Sequence, residues 1–210
     1  MHIPTIFDIN YEGNIESYSI SDKKFHHLEN VLRVKNDSIV KVTNGRGLIS
    51  SGIISGKMIT FSETEFKQRD NLINIFIAKL QDKTRMRFLI EKLTELCVQS
   101  ITIAPTANSQ KNNLPSEKVN SWITGAIEQS GAPFLPELSI VKKLDFDKFP
   151  HSFDISGESL ENNIQFKNFA IGPEGGWSKD ELASFNHISK INNFTLRSDT
   201  AALVAVSLMM

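Results

Sequence analysis

From residue 72 onward the chain alternates short apolar runs with amphipathic helical stripes, and this alternation narrows the fold more than any other feature of the sequence. Residues 72–80 form an apolar, strand-like run, after which Met86, Leu89, Ile90, Leu93, Leu96 and Cys97 recur at helical spacing. Residues 101–105 read as the next strand. A second helix begins after Pro115 with Ser116 as its N-cap and puts Val119, Trp122, Ile123, Ala126 and Ile127 on one stripe. Residues 168–171 are a further strand running straight into Gly172-Pro173-Glu174-Gly175-Gly176, and Ser178-Lys179-Asp180-Glu181 then spells a capping box. Residues 193–196 read as the last strand. Ser198 or Asp199 caps a terminal helix over residues 200–210 that is apolar on nearly every side and is therefore expected to be buried. Strands alternating with helices in this way imply a parallel α/β sheet.

The first 69 residues follow a different grammar. Tyr18 and Ile20 alternate with Ser17 and Ser19, residues 38–42 and 52–54 are strand-like, and Asn44-Gly45-Arg46-Gly47 and Ser55-Gly56-Lys57 are turns. A small β-barrel fits this pattern, interrupted by one helical segment in which Phe25, Leu28, Val31 and Leu32 recur at helical spacing. Residues 63–70 are charged and polar and are expected to be a linker, so the reading divides the chain into domains 1–69 and 70–210.

Charge and cysteine content exclude several functions. With 23 Lys plus Arg against 24 Asp plus Glu, the chain has no global basic field to draw in nucleic acid. Cys97 is the only cysteine, and none of the five histidines has metal-ligand spacing, so neither a disulfide nor a metal centre is expected. No apolar run approaches the roughly 18 residues of a membrane span, and the N-terminus lacks the features of a signal peptide. The sequence reads as a soluble, cytoplasmic protein.

Four segments could carry chemistry. The glycine loop at 172–176 lets backbone approach a ligand and opens onto a helix start, although a tight strand-to-helix turn with no ligand fits it equally. It is neither a Walker A loop nor a dinucleotide fingerprint. Leu196-Arg197-Ser198-Asp199-Thr200-Ala201 puts a cation at a strand end, and the two segments together lie where open α/β sheets bind ligands. Lys79, Lys83, Arg85, Arg87 and Lys92 form a basic run, read either as a solvated helix face or as phosphate contacts. Glu128-Gln129-Ser130-Gly131 closes the second helix with polar groups.

Taken in order, these segments resemble the RsmE family of ribosomal RNA uridine-N3 methyltransferases within the SPOUT superfamily. Phe25-His26-His27-Leu28 with Val31-Leu32-Arg33-Val34 resembles the family's PUA-like domain, and Arg85-Met86 with Lys92-Leu93-Thr94-Glu95-Leu96 resembles its first catalytic-domain helix. Glu128-Gln129-Ser130-Gly131, the 171–176 loop and residues 196–201 complete the match. The chain departs from the family pattern at Cys97, where Gly is usual, at Asn108-Ser109, where Arg-Ser is usual, and at Ser198-Asp199, where Thr-Glu is usual.

The resemblance implies a PUA-like RNA-binding β-barrel at 1–69 and an α/β knotted methyltransferase domain at 70–210, with a deep C-terminal trefoil knot. It implies S-adenosylmethionine as cofactor, held by Ile171, Gly172, Pro173, Glu174, Gly175, Gly176, Leu196, Arg197, Thr200, Ala201 and Leu203. Arg197 would stabilise the uracil anion and Glu128 would serve as the base, while His27, Arg33, Lys83, Arg85, Arg87 and Gln129 would contact RNA. The implied partners are 16S rRNA or the small ribosomal subunit and a second copy of the chain. Two other readings stay open on the residues alone: a related enzyme acting on another base or a ribose, and a non-catalytic RNA-binding module.

Overall fold

A computed structural model describes residues 3–13, 16–30, 34–109, 114–160 and 165–210. The chain forms two compact units. One comprises Met1–Asp70 with Thr124–Leu135, and the other Asn71–Ile123 with Pro136–Met210.

The first unit holds strands β1 (Thr5–Phe7), β2 (Ser17–Ser19), β3 (Ile39–Thr43), β4 (Leu48–Ser55) and β5 (Met58–Phe66), with helix α1 (Asp22–Asn30) after β2. They build one sheet in the order β1-β3-β4-β5-β2, antiparallel except for the β1–β3 pair. Its core collects Ile6, Tyr11, Ile20, Leu28, Val40, Val42, Ile54 and Ile59. The Tyr11 hydroxyl, which could not be buried unpaired, donates to Ser50 Oγ at 2.6 Å. The charged stretch read as a linker is in part strand. Residues 63–66 continue β5 against residues 48–51 of β4, beyond a register shift at Ser51/Gly52, and Glu63 is exposed and Glu65 half-buried there.

In the second unit β6 (Asn74–Ala78), β7 (Ser100–Ala104), β8 (Glu137–Ile140), β9 (His151–Ser159), β10 (Asn168–Ile171) and β11 (His187–Lys190) form a six-stranded sheet. Every pair in it is parallel, and the order is β11-β9-β10-β6-β7-β8. Helices α2 (Lys83–Glu95), α3 (Ser116–Ser130), α4 (Lys179–Ser184) and α5 (Ser198–Met209) connect or follow the strands, and the last turns of α3, from Thr124, belong to the first unit. Phe76, Ala170, Phe149 and Trp177 are buried in the sheet's core. Chain order runs outward from β6 to β8, then crosses to β9 and inserts β10 between β9 and β6. The switch in direction leaves an opening at the carboxyl end of β10, where parallel sheets bind ligands.

Helix α2 starts as its sequence directs, with Asp82 accepting the Thr84 N–H at 2.7 Å, and it buries Met86, Leu89, Ile90, Leu93 and Thr94. Cys97 follows its C-cap with a φ of 56°. That left-handed backbone favours glycine, the residue the family resemblance leads one to expect there, and a side chain in it costs about 1–2 kcal/mol.

Three local expectations fail. The last strand is β11 at His187–Lys190, and residues 193–196 are irregular: Asn192 Oδ1 accepts the Phe194 N–H at 2.9 Å, an Asx turn that competes with ladder pairing. Neither Ser198 nor Asp199 is the N-cap of α5. Arg197 occupies that position without a side-chain cap, while the Asp199 carboxylate is engaged by Arg85. Nor is α5 buried all round, since Leu208 is 50% exposed and Leu203 and Val204 are only half-buried.

His151, on β9, was not singled out by any sequence motif. Its ring is fully buried, stacks on Phe166 at 3.5 Å and meets the edge of Phe153, and neither ring nitrogen has a hydrogen-bond partner. Burial, with a smaller contribution from His187, lowers its pKa from 6.5 to about 4. The unfolded chain therefore binds the proton first, so stability is complete above pH 6.5 and falls as pH drops from 6.5 towards 4. A loss of about 2 kcal/mol by pH 5 is expected from this group. Urea unfolding of the parent and of His151→Phe at pH 7 and pH 5 checks it, because the variant should lack most of the difference.

Candidate active site

The opening beyond β10 is a cavity of about 380 Å³. Strand β10 ends in Ile171, and the glycine loop turns the chain into α4. Ser178 caps that helix reciprocally with Glu181, whose other carboxylate oxygen accepts the Ala107 N–H at 2.9 Å. Asn108 pins the loop from outside, its side-chain amide donating to Gly176 O at 3.0 Å. Gly172 faces the Trp177 indole so closely that a β-carbon there would lie 3.0 Å from Nε1.

Of the residues expected to hold a cofactor, Ile171, Gly172, Pro173, Glu174, Gly176, Leu196, Arg197 and Ala201 line this cavity. Gly175 instead backs onto Asn108, Thr200 is exposed and Leu203 is half-buried on α5, and these three are not part of the lining. Phe153, Asp154 and Ile155, from β9, and Trp177 and Phe194 also line it. None of them is marked in the sequence: β9 carries no motif, Phe194 lies in a segment that reads as a strand, and Trp177 stands between the glycine loop and the capping box without belonging to either.

Arg85 is brought into the lining as well, and it is heavily engaged. Its guanidinium grips Asp199 with two bonds, Nε to Oδ2 at 2.9 Å and Nη2 to Oδ1 at 2.7 Å, and Nη1 donates to Glu174 Oε1 at 3.1 Å. The Arg85 hydrogen bonds hold the Asp199 carboxyl below the usual carboxylate range. This fork ties α2 to the glycine loop and to the start of α5. Arg197, in contrast, is exposed, and among the described residues no carboxylate pairs with it.

The remaining candidates lie elsewhere. Glu128 belongs to the first unit, where its carboxylate accepts the Phe7 N–H at 3.4 Å, and Gln129 beside it is exposed. Lys83 and Arg87 are exposed on α2, and Arg87 pairs with Glu91 at 2.6 Å. Lys79 is buried; desolvation first, and then the neighbouring Lys83, hold its ammonium below the usual lysine range. His27 lies in α1, but its side chain is outside the described residues, as is all of Arg33.

The donor set fits an adenosyl cofactor. Ile171, Trp177 and Ala201 supply apolar walls, the glycine loop presents backbone, and Asp154 and Glu174 offer acceptors for hydroxyl or ammonium groups. The Trp177 indole N–H is buried without a partner among the described residues, a donor that a ligand acceptor would satisfy. Among the described residues no cluster of three or more His, Cys, Asp or Glu could hold a metal ion. No described helix is long and apolar enough to cross a membrane.

Comparison with known proteins agrees with this geometry. An RNA methyltransferase domain model matches residues 68–210, and an RNA methyltransferase PUA domain model matches residues 20–57. Ribosomal RNA small subunit methyltransferase E of Buchnera aphidicola is 26% identical over 218 residues, covering 90% of this chain and 86% of that protein. The crystal structure of a ribosomal RNA small subunit methyltransferase E from Neisseria gonorrhoeae, bound to S-adenosyl methionine, superposes with a TM-score of 0.82 at 21% identity and covers 99% of this chain and 97% of its own. A putative methyltransferase from Legionella pneumophila, in complex with the same cofactor, gives 0.77 at 21% identity, covering 100% and 97%. With two domain models in the expected order and a fold shared over nearly the whole length, the chain belongs to the RsmE family of RNA methyltransferases.

Proposed function

We propose that this protein transfers a methyl group from S-adenosylmethionine to N3 of a uridine in 16S ribosomal RNA, as a cytoplasmic enzyme of small-subunit maturation. The observation that carries the reading is the convergence of the glycine loop and the Arg197 loop on one cavity, in a chain whose methyltransferase domain match spans residues 68–210. When bound, the cofactor supplies an electrophilic methyl group on a sulfonium. The chain's own contribution is positioning and charge. The uridine must leave its stack to present its Watson–Crick edge, N3 must lose its proton, and Arg197 is the proposed donor to the resulting uracil anion. Glu128, the acceptor implied by the family resemblance, belongs to the first unit and is not part of the cavity lining, so the lining itself assigns no acceptor for that proton. Three of the N–H groups of Arg85 are taken by carboxylates, so its first role is to hold the cavity walls, and Lys83 and Arg87 are the better candidates on α2 for phosphate contact.

Mass-spectrometric mapping of rRNA from cells with and without the gene tests the assignment. A uridine in 16S rRNA should lose its N3-methyl when the gene is removed. Loss of a ribose methyl or of a methyl on another base would replace this reading with the related-enzyme one, and no change at all would leave the binding-module reading.

Two finer features belong to the same proposal. Insertion of β10 between β9 and β6, with β11 outside β9, supports a trefoil knot in the last 43 residues, as implied by the family resemblance. The partly open apolar surface of α5, together with the exposed Phe88 of α2, on which α5 packs, supports a homodimer. Sedimentation equilibrium is expected to give twice the chain mass; a monomer at micromolar concentration that still methylates RNA excludes the dimer. The segment 1–69 is proposed to position the RNA.

A further inference from the structure

Phe194 is 78% exposed, more than any other large apolar side chain among the described residues, and it lines the cavity. It is not a stray surface residue of a mobile strand end. Its backbone N–H is held by Asn192 Oδ1 at 2.9 Å, and Asn193 and Thr195 on either side are exposed too, so the turn that follows β11 carries the ring at the surface. The cavity's lining thus divides by burial. Ile171, Pro173 and Trp177 are buried, whereas Phe194, Ile155 and Arg197 are exposed and mark the mouth.

An exposed ring and an uncommitted guanidinium at one opening suit a ligand that is flat, apolar on its faces and polar on its edge. A nucleobase taken out of its stack is such a ligand: single-stranded bases are read by stacking on aromatic side chains while their edges are hydrogen-bonded. The enclosed part of the cavity suits the adenosyl cofactor by the fit above, which leaves the mouth for the group that receives the methyl. We propose that Phe194 is the stacking platform for the target base, holding an unstacked pyrimidine across the mouth of the cavity with its edge towards Arg197. This inference rests on the methyl-transfer reading and adds to it a specificity-determining residue that no motif in the sequence marks.

The test uses the full-length protein, S-adenosylmethionine, and small ribosomal subunits from cells lacking the gene. Phe194→Ala and Phe194→Leu should lower kcat/KM for the subunit by about 5- to 150-fold, the range found when a stacked aromatic is removed, with cofactor affinity within a few-fold of the parent. Phe194→Tyr should retain most of the activity, because it keeps the ring. Phe194→Trp, compared with the parent, which already holds Trp122 and Trp177, should show additional emission quenching when 16S rRNA is added to protein saturated with S-adenosylhomocysteine. Leucine behaving like the parent, tyrosine failing as alanine does, or cofactor affinity falling in step with activity would each overturn the stacking role. Quenching is read without turnover. Quenching of the new tryptophan in Phe194→Trp by rRNA, with a parent that methylates no uridine N3, therefore counts against the function and not against the platform.

Discussion

Replacing Arg197 with alanine is expected to cut the single-turnover methylation rate about 100-fold or more while leaving the affinity for S-adenosylmethionine within a few-fold. The contrast between the two arginines of the cavity is the reason. Arg85 has three N–H groups committed to Asp199 and Glu174, whereas Arg197 stands at the N-cap of α5, exposed and unpaired by any carboxylate among the described residues. An exposed cation that no carboxylate neutralises is suited to charge that develops only as the N3 proton leaves, and such a contact affects turnover more than ground-state binding. Lysine at 197 should recover only part of the rate, since its point charge lacks the planar fork. If Arg197 instead merely pins the turn into α5, the variant would lose melting temperature and cofactor binding together. Single-turnover rate, cofactor affinity and melting temperature measured on one preparation separate the two. A normal rate, or a rate loss fully matched by cofactor loss, removes Arg197 from catalysis.

The second large effect is expected at Gly172, where valine should weaken cofactor binding by about 5- to 150-fold, and alanine by less. Its backbone conformation is open to any residue, so the consequence is steric alone. The first added carbon would sit 3.0 Å from Trp177 Nε1, closer than ordinary contact. The indole has little freedom to retreat, being stacked at 6.3 Å on Phe76 and met edge-on at 4.9 Å by Phe185. Overpacking of this kind costs about 1–3 kcal/mol, and the retreat open to valine is into the cavity itself, which converts to the stated loss of affinity. Calorimetric titration with S-adenosylmethionine, in the presence of a chelator, measures it. Unchanged affinity in Gly172→Val would mean that the cofactor does not use the wall between Gly172 and Trp177.

Much of this site can be read from the sequence because its parts are local. The glycine loop, the capping box of Ser178 and Glu181, and the apolar β10 are each specified within a few neighbouring residues, and the structure has all three. Periodicity likewise finds α2 and its buried face. What escaped the reading depends on contacts between distant segments. Phe153, Asp154 and Ile155 enter the cavity only because β9 pairs with β10, and Asn108 matters only because it reaches the carbonyl of Gly176. Local competition misled as well. An alternating pattern at 193–196 reads as a strand, yet the Asn192 side chain captures the Phe194 N–H first, and the true edge strand ends at Lys190. Asp199 looks like a helix cap on sequence, but a guanidinium 114 residues away takes its carboxylate.

The late arrival of β10 also sets a timetable for synthesis. Strand β6 leaves the ribosome carrying Ile75, Phe76 and Ile77, all of which end fully or almost fully buried, yet the strand that covers its inner edge comes about 90 residues later. At roughly 5–20 residues per second that edge stays open for some 5–20 seconds, far longer than a hairpin or helix takes to form. During this interval the nascent chain has an apolar strand with unpaired backbone on one side, the feature that recruits wrong partners. The half-made domain carries this open edge until β10 arrives, and it cannot gain its cavity, whose lining extends to Ala201, until nearly the whole chain has been made.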